Sequence, residues 1–143
     1  MFPKIDLSLI NTVENDETQL SNTSVGRSMA FDFKQKRFVF TNGINKEPTQ
    51  IGAIKQWIEL FIRTRSEKFA IYNSDFGVRL DGLLGYRLPR SYVLAEIKKR
   101  ITNGILNGCP AVVSVTEWVF NAGSFSFTVT TNTGEEVKII NDI

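Results

Sequence analysis

Carboxylates are the residues of this chain best suited to act as general acids or bases, because the 143-residue sequence contains no histidine. Without histidine there is no Ser-His-Asp or Cys-His nucleophile and no imidazole that titrates near neutral pH. Asp75 and Asp81 flank a glycine-containing loop and are the candidates for a paired-carboxylate hydrolase of the glycosidase kind. Aspartates in turns, however, usually accept hydrogen bonds from their own backbone. We therefore expect no catalytic residue and no enzyme.

The single cysteine, Cys109, restricts the chemistry further. One thiol forms no disulfide within the chain, and a zinc site needs several Cys or His ligands. Cys109 precedes Pro110 at a predicted helix-to-strand junction, which favours a small buried residue over a reactive thiol. Gly82 and Gly85 lack the neighbours of a phosphate-binding loop or a dinucleotide fingerprint. We expect neither a metal nor a cofactor.

Positive charge is concentrated in the middle of the chain. Residues 27–107 carry 15 of the 17 Lys and Arg and 7 of the 15 Asp and Glu, a net charge of +8, whereas the segments on either side each carry −3. Clustered cations bind phosphates, so a small nucleic-acid-binding module using Lys98-Lys99-Arg100 stays open as the alternative function. A basic surface that faces an acidic protein partner explains the same pattern, and we favour it.

The first third of the sequence predicts an N-terminal arm, a linker and a hairpin. Residues 4–10 alternate between apolar and polar, and the polar stretch that follows favours an arm and flexible linker over residues 1–27. A single α+β domain is expected over residues 28–143. Residues 29–33 and 38–40 alternate around a charged turn, which predicts a hairpin that Asn42-Gly43 then ends.

Two helices are predicted in the middle of the chain. Apolar residues recur at helical spacing from Pro48 to about Arg65 and again from Pro89 to Gly108. Gly104 lies inside the second helix and costs up to about 1 kcal/mol there. Between the helices, residues 69–72 predict a short strand.

The period changes from helical to alternating near Ala111, and three strands separated by Asn-Ala-Gly and Asn-Thr-Gly turns follow. The predicted fold is α+β: two main helices pack on a mixed, mostly antiparallel sheet that ends in a β-meander. No apolar run approaches the roughly 20 residues of a membrane-spanning helix, and no signal peptide is recognisable, so a soluble chain is expected.

The last strand is a candidate docking edge. It carries Val137, Ile139 and Ile140 with little of the charge that usually protects an edge, which predicts pairing with a strand of another chain. Trp118 is a second candidate, as an aromatic anchor, because strict alternation would place it with Thr116 and Phe120 on one mixed face.

The order and spacing of several segments resemble a known family. Over about residues 28–120 the chain is similar to the XkdS-like proteins of PBSX-type defective prophages, which belong with the contractile-tail sheath initiators of phages and tailocins. The segments that carry the resemblance are Phe31-Asp32-Phe33 to Phe38-Val39, Ile54-Lys55-Gln56-Trp57-Ile58, Glu67 to Tyr72 followed by Asp75-Phe76-Gly77-Val78, and Pro89-Arg90-Ser91-Tyr92-Val93.

The resemblance implies a structural baseplate protein of a virion or tail-like particle, assembled in the cytoplasm of the bacterial host. Six copies would surround the tube and nucleate the sheath by β-strand addition with sheath subunits, beside other wedge and tube or hub proteins and away from any membrane. Related wedge proteins carry a Glu-Pro-Arg motif after the second helix, of which Cys109-Pro110-Ala111 keeps only the proline. Arg87 and Arg90 are therefore the candidates for wedge docking.

Overall fold

The computed structural model describes residues 27–83, 85 and 87–142, so residues 1–26 of the predicted arm and linker lie outside the described residues. Within the described chain, four short strands precede two helices and three longer strands. The elements are β1 (Phe31–Asp32), β2 (Arg37–Phe38), β3 (Phe40–Thr41), β4 (Ile44–Asn45), α1 (Gln50–Arg63), α2 (Arg90–Gly108), β5 (Val112–Asn121), β6 (Ser124–Thr131) and β7 (Glu136–Asp142). The predicted α+β class with a C-terminal meander is confirmed.

Two short hairpins form a β layer ahead of α1. β1 pairs with β2, and β3 pairs with β4, both antiparallel. Asn42 and Gly43 have positive φ, as a two-residue type I′ turn requires, so they form a second hairpin where we expected the extended region to end. Backbone hydrogen bonds join the hairpins, from Ala30 N–H to the Lys46 carbonyl (2.8 Å) and from Lys46 N–H to the Val39 carbonyl (2.9 Å).

α1 begins and ends close to the predicted positions. Thr49 caps its N-terminus, because the Thr49 hydroxyl accepts a hydrogen bond from the Gly52 N–H at 3.2 Å. At the other end the extended Thr64 donates its N–H to the Leu60 carbonyl at 3.0 Å. The helix buries one face, formed by Ala53, Ile54, Ile58 and Phe61.

Two glycines of α2 bring the helices into close contact. A Cβ atom at Gly104 would overlap the Phe61 ring, and a Cβ atom at Gly108 would lie 2.8 Å from the Trp57 ring. The rings of Trp57 and Phe61 stack with centroids 5.3 Å apart. Gly104 and Gly108 are one helical turn apart, so together they form a notch that receives these two α1 rings.

The predicted strand at residues 69–72 is wrong. The Val78 N–H donates to the Thr64 carbonyl at 2.9 Å, and one parallel bridge joins Arg65 to Val78, so the chain between them protrudes as a loop. Residues 69–72 lie in turns of this loop, and Ile71 is 86% exposed. Four apolar residues resembled a strand in the sequence, but no described strand lies beside them to supply hydrogen-bond partners.

The meander supplies the sheet side of the core. β6 lies between β5 and β7 and pairs antiparallel with both. Alternate side chains of β6 and β7 pack against the buried faces of both helices. On the sheet these are Phe125, Phe127, Val129, Val137 and Ile139.

Replacing Gly104 by alanine should destabilise the protein although alanine favours helix. Alanine gains about 1 kcal/mol in helix propensity, but the overlap of its methyl group with Phe61 costs about 1–3 kcal/mol of overpacking. Urea unfolding followed by circular dichroism should show a net loss of stability. Asn103→Ala, on the exposed side of the same helix, is the control. An unchanged or raised midpoint for Gly104→Ala would contradict the notch.

A candidate docking edge and the groove beside it

β7 forms a free edge of the meander. It pairs with β6 on one side and with no other strand of the described residues on the other. Thr131 N–H donates to the Glu135 carbonyl at 2.9 Å, which sets the phase of the ladder. Hydrogen-bonded and non-hydrogen-bonded pairs alternate in antiparallel strands, so residues 137, 139 and 141 bond to β6. The N–H and C=O groups of residues 136, 138, 140 and 142 therefore point outward along the free edge.

The side chains of β7 divide between core and solvent. Val137 and Ile139 are buried, Ile139 completely, whereas Ile140 is 64% exposed. The apolar side chains of Val137 and Ile139 are thus already used by the core of this chain. A partner strand at this edge would meet the outward backbone groups and Ile140.

The opposite edge of the meander, β5, is irregular. Its pairing with β6 shifts register between Val112 and Ser114 and again between Thr116 and Val119. Glu117 lies in the second irregularity with φ 53°, and its carboxylate accepts a hydrogen bond from the Thr128 hydroxyl at 2.8 Å. Bulges interrupt the regular spacing of edge groups and oppose strand addition. The pairing of β7 contains no such shift over its seven residue pairs.

The bulge also moves Trp118 to the other face of β5. Thr116 pairs with Thr128, whereas the Trp118 ring stacks on the buried Phe127 ring. The centroids of these two rings are 4.5 Å apart. The expectation that Trp118 and Phe120 share a face with Thr116 is therefore wrong, because one inserted residue reverses the alternation. Trp118 is half-buried in a stack of aromatic rings within its own chain.

A groove of about 570 Å³ lies between β7 and the β1–β2 hairpin. One stripe of α1 at helical spacing lines it, together with half-buried apolar residues of the hairpin and two residues of β7. The lining residues are Phe31, Asp32, Phe33, Lys34 and Val39 from the hairpin, Gly52, Lys55, Gln56, Glu59 and Arg63 from α1, and Ile140 and Asp142 from β7.

Two α1 side chains hold the hairpin in place beside this groove. The Gln56 side chain accepts a hydrogen bond from the Phe31 N–H at 3.0 Å and donates to the Met29 carbonyl at 2.8 Å. Two turns further along α1, the Arg63 guanidinium lies over the Phe33 ring, 5.3 Å from its centroid. The position of the hairpin relative to β7 is thus set from α1.

The hairpin turn has its own polar support. The Asp32 carboxylate accepts hydrogen bonds from the N–H groups of Lys34 (2.8 Å) and Gln35 (3.1 Å). These backbone hydrogen bonds from Gln35 and Lys34 hold the pKa of Asp32 below its usual range. The turn is an Asx-type turn that the sequence places at the edge of the groove.

The basic residues proposed as binding groups differ in whether they form ion pairs or hydrogen bonds with other described residues. Arg87 and Arg90 are exposed and form no ion pair with a described residue. Lys98 and Lys99 are also exposed, but Arg100 contacts the Glu96 carboxylate at 2.9 Å and donates to the Arg79 carbonyl. The run Lys98-Lys99-Arg100 therefore offers two free cations.

The candidate chemical groups do not come together in one site. Asp81 forms an ion pair with Arg65 at 2.7 Å, and Asp75 lies in an exposed turn. Cys109 is 1% exposed, and burial raises the pKa of its thiol, which favours the unreactive protonated form. In the described part of the chain, no group of three or more Cys, Asp or Glu side chains is placed to hold a metal ion.

Replacing Gln56 by leucine should loosen the hairpin without unfolding the core. The substitution keeps the bulk of the side chain but leaves the Phe31 N–H and the Met29 carbonyl without their partners, at a cost of about 1–2 kcal/mol. Hydrogen exchange should become faster at Phe31 and at Val39 but not in β6. The exposed neighbour Lys55→Ala is the control. Unchanged hydrogen exchange at the Phe31 N–H in Gln56→Leu would show that the Gln56 side chain does not hold the hairpin.

Comparison with known proteins identifies the family. Residues 27–134 match the model of a family described as the contractile injection system sheath initiator. No curated protein matches the chain as a relative. Neither helix of the described residues has both the length and the hydropathy of a membrane span. The match covers most of the chain, including the hairpins, both helices and the first two strands of the meander, and the chain therefore belongs to the sheath initiator family of contractile injection systems.

Proposed function

We propose that this chain initiates the sheath by pairing β7 with an extended segment of a tail sheath subunit. The observation that carries the proposal is the regular free edge of β7, with outward backbone groups at residues 136, 138, 140 and 142. Membership of the sheath initiator family supports the sheath as the partner. Backbone groups of this kind bind another extended backbone by β-augmentation.

The contrast between the two edges of the meander supports β7 as the binding strand. β5 carries two register shifts, whereas β7 is regular and exposes Ile140 on its outward face. Each added backbone hydrogen bond contributes about 1 kcal/mol net, and apolar burial adds about 25 cal/mol per Å². The binding free energy of a single strand pair is therefore modest. Six copies around the tube would bind a sheath ring through avidity.

Arg87 and Arg90 are proposed to face a different partner. Arg90 is the first residue of α2 and Arg87 lies three residues before it; both are exposed and form no ion pair within the described residues. An acidic surface on a baseplate wedge, tube or hub protein would complement them. The chain would then join the baseplate through α2 and the sheath through β7, in a particle assembled in the host cytoplasm.

Replacing Lys138 by proline should abolish capture of the sheath protein while the chain stays folded. The Lys138 N–H points away from β6, so proline removes an outward donor and spares the β6–β7 ladder. We expect at least a tenfold loss of binding, measured by biolayer interferometry with the purified sheath protein of the same particle.

The matched control is Lys138→Ala, which removes the same charge but keeps the N–H. It should bind within about twofold of wild type, since an exposed ion pair contributes little. Circular dichroism and thermal unfolding establish that both variants fold. Equal sheath binding by Lys138→Pro and Lys138→Ala would refute strand addition at β7.

The double variant Arg87→Ala/Arg90→Ala should weaken binding to the baseplate partner and leave sheath capture unchanged. Exposed charges mainly accelerate association, so the loss should be a few-fold, larger at low salt. Association rates with wedge and tube proteins measured at two ionic strengths test this. Lys98→Ala/Lys99→Ala carries the same charge change elsewhere on α2 and is the control. Equal losses in both double variants would favour a general effect of net charge.

A further inference from the structure

We propose that the groove beside β7 is a slot, and that the incoming sheath strand enters between β7 and the β1–β2 hairpin. This inference rests on the proposed strand addition and adds where the strand lies and what it contacts. The strand would be held on both sides and would lie against α1, instead of hanging from an open sheet edge.

The three walls of the slot come from different elements. β7 contributes Ile140 and Asp142, the hairpin contributes the opposite wall, and one stripe of α1 forms the floor. β1 and β7 line the same groove, yet they belong to separate sheets and share no strand pairing. A strand paired with β7 would lie about 4.8 Å from it, and the groove of about 570 Å³ is the space that we assign to this strand.

The surface of the slot is incompletely covered in the free chain. Phe31, Phe33 and Val39 line it and are each half-buried, so part of their apolar surface faces the groove. The side chains of an extended segment alternate between two faces. In the slot, the side chains of one face would contact Phe31, Phe33 and Val39, and those of the other face would lie on the same side as Ile140. The partner segment should therefore carry apolar or small side chains at alternate positions on its slot side.

Charge in the slot gives a second criterion for the partner. Lys34, Lys55 and Glu59 line the slot, and no ion pair joins any of them to a described residue. The Asp32 carboxylate accepts hydrogen bonds from its own turn. A partner segment that carries both acidic and basic side chains on its slot side would complement the charges of Lys34, Lys55 and Glu59. One of its carboxylates would face Lys55.

The hairpin is fixed strongly enough to act as a wall. Gln56 holds its first strand through hydrogen bonds, and Arg63 holds Phe33 through the cation–π contact. Gln56 and Arg63 also line the slot. The side chains that position the hairpin wall therefore come from α1, which forms the floor. The width of the slot is consequently set by the rigid α1 helix.

Closing the slot with a reversible cross-link tests the proposal. Lys34→Cys and Asp142→Cys lie on opposite walls, both are exposed, and the pair leaves the net charge unchanged. A reducible bis-thiosulfonate linker between them should lower sheath binding at least tenfold, and reduction should restore it. Lys99→Cys/Asn103→Cys, cross-linked along the exposed face of α2, is the control; the buried Cys109 is common to both.

The outcomes separate the slot from strand addition in general. If the closed slot binds the sheath as well as the open one while Lys138→Pro does not bind, the strand adds to β7 from outside and the slot is excluded. If the closed slot and Lys138→Pro both bind like wild type, the sheath does not use β7 at all, and both proposals fail.

Hydroxyl-radical footprinting of the wild-type chain gives a readout without engineered cysteines. In the complex with the sheath protein, oxidation of Phe31 and Phe33 should fall at least threefold. Phe40 and Ile44, which are exposed on β3 and β4 and do not line the slot, should change less than twofold and serve as internal controls. Unchanged oxidation of Phe33 in a complex that has formed would overturn the proposal.

Discussion

The close contact of α1 with α2 is the constraint on which the rest of the structure depends. Gly104 and Gly108 admit the rings of Phe61 and Trp57, so α1 packs closely beside α2 on the meander. From this position α1 directs a second stripe of side chains outward, and Gln56 on that stripe holds the hairpin. The core contact therefore fixes a surface feature. The shape of the groove therefore depends on the position of α1, which lines it.

β7 combines two tasks that the alternation of a strand keeps apart. Its inward side chains, Val137 and Ile139, complete the core, and its outward backbone groups stay free. Loss of the core side chains would unfold the chain, whereas loss of an outward N–H would leave the core intact. β5 shows the opposite solution, because its bulge at Glu117 spoils the edge and turns Trp118 inward. Only one edge of the meander remains regular.

Local pattern was enough to predict both helices and the three-stranded meander, because these follow from periodicity and turn residues. Which strand of the meander forms the exposed edge did not follow from the sequence. Features that depend on tertiary contacts were not predicted from local pattern. The alternation of β5 does not predict the bulge that reverses Trp118, and residues 69–72 look like a strand although no described strand pairs with them. Gly104 looked like a cost to the helix, since its ring neighbour lies 43 residues earlier in the sequence. The groove brings the C-terminal end of β7 next to the hairpin and α1, which lie about 80 residues or more earlier in the sequence, and it was not predicted.

A free, regular edge is a hazard in an isolated protein, because any extended chain can pair with it. Two features around β7 limit that hazard while keeping the edge usable. The sequence suggested little protective charge at this strand, but Glu136, Lys138 and Asp142 place charges of both signs along its exposed side. The hairpin stands beside the C-terminal half of β7, where Ile140 and Asp142 line the groove. In the proposed slot, the hairpin wall leaves less room for a flat sheet than for a single extended arm. If the sheath arm binds as proposed, selectivity for an arm over a sheet would follow from the position of the hairpin, which contacts of Gln56 and Arg63 support.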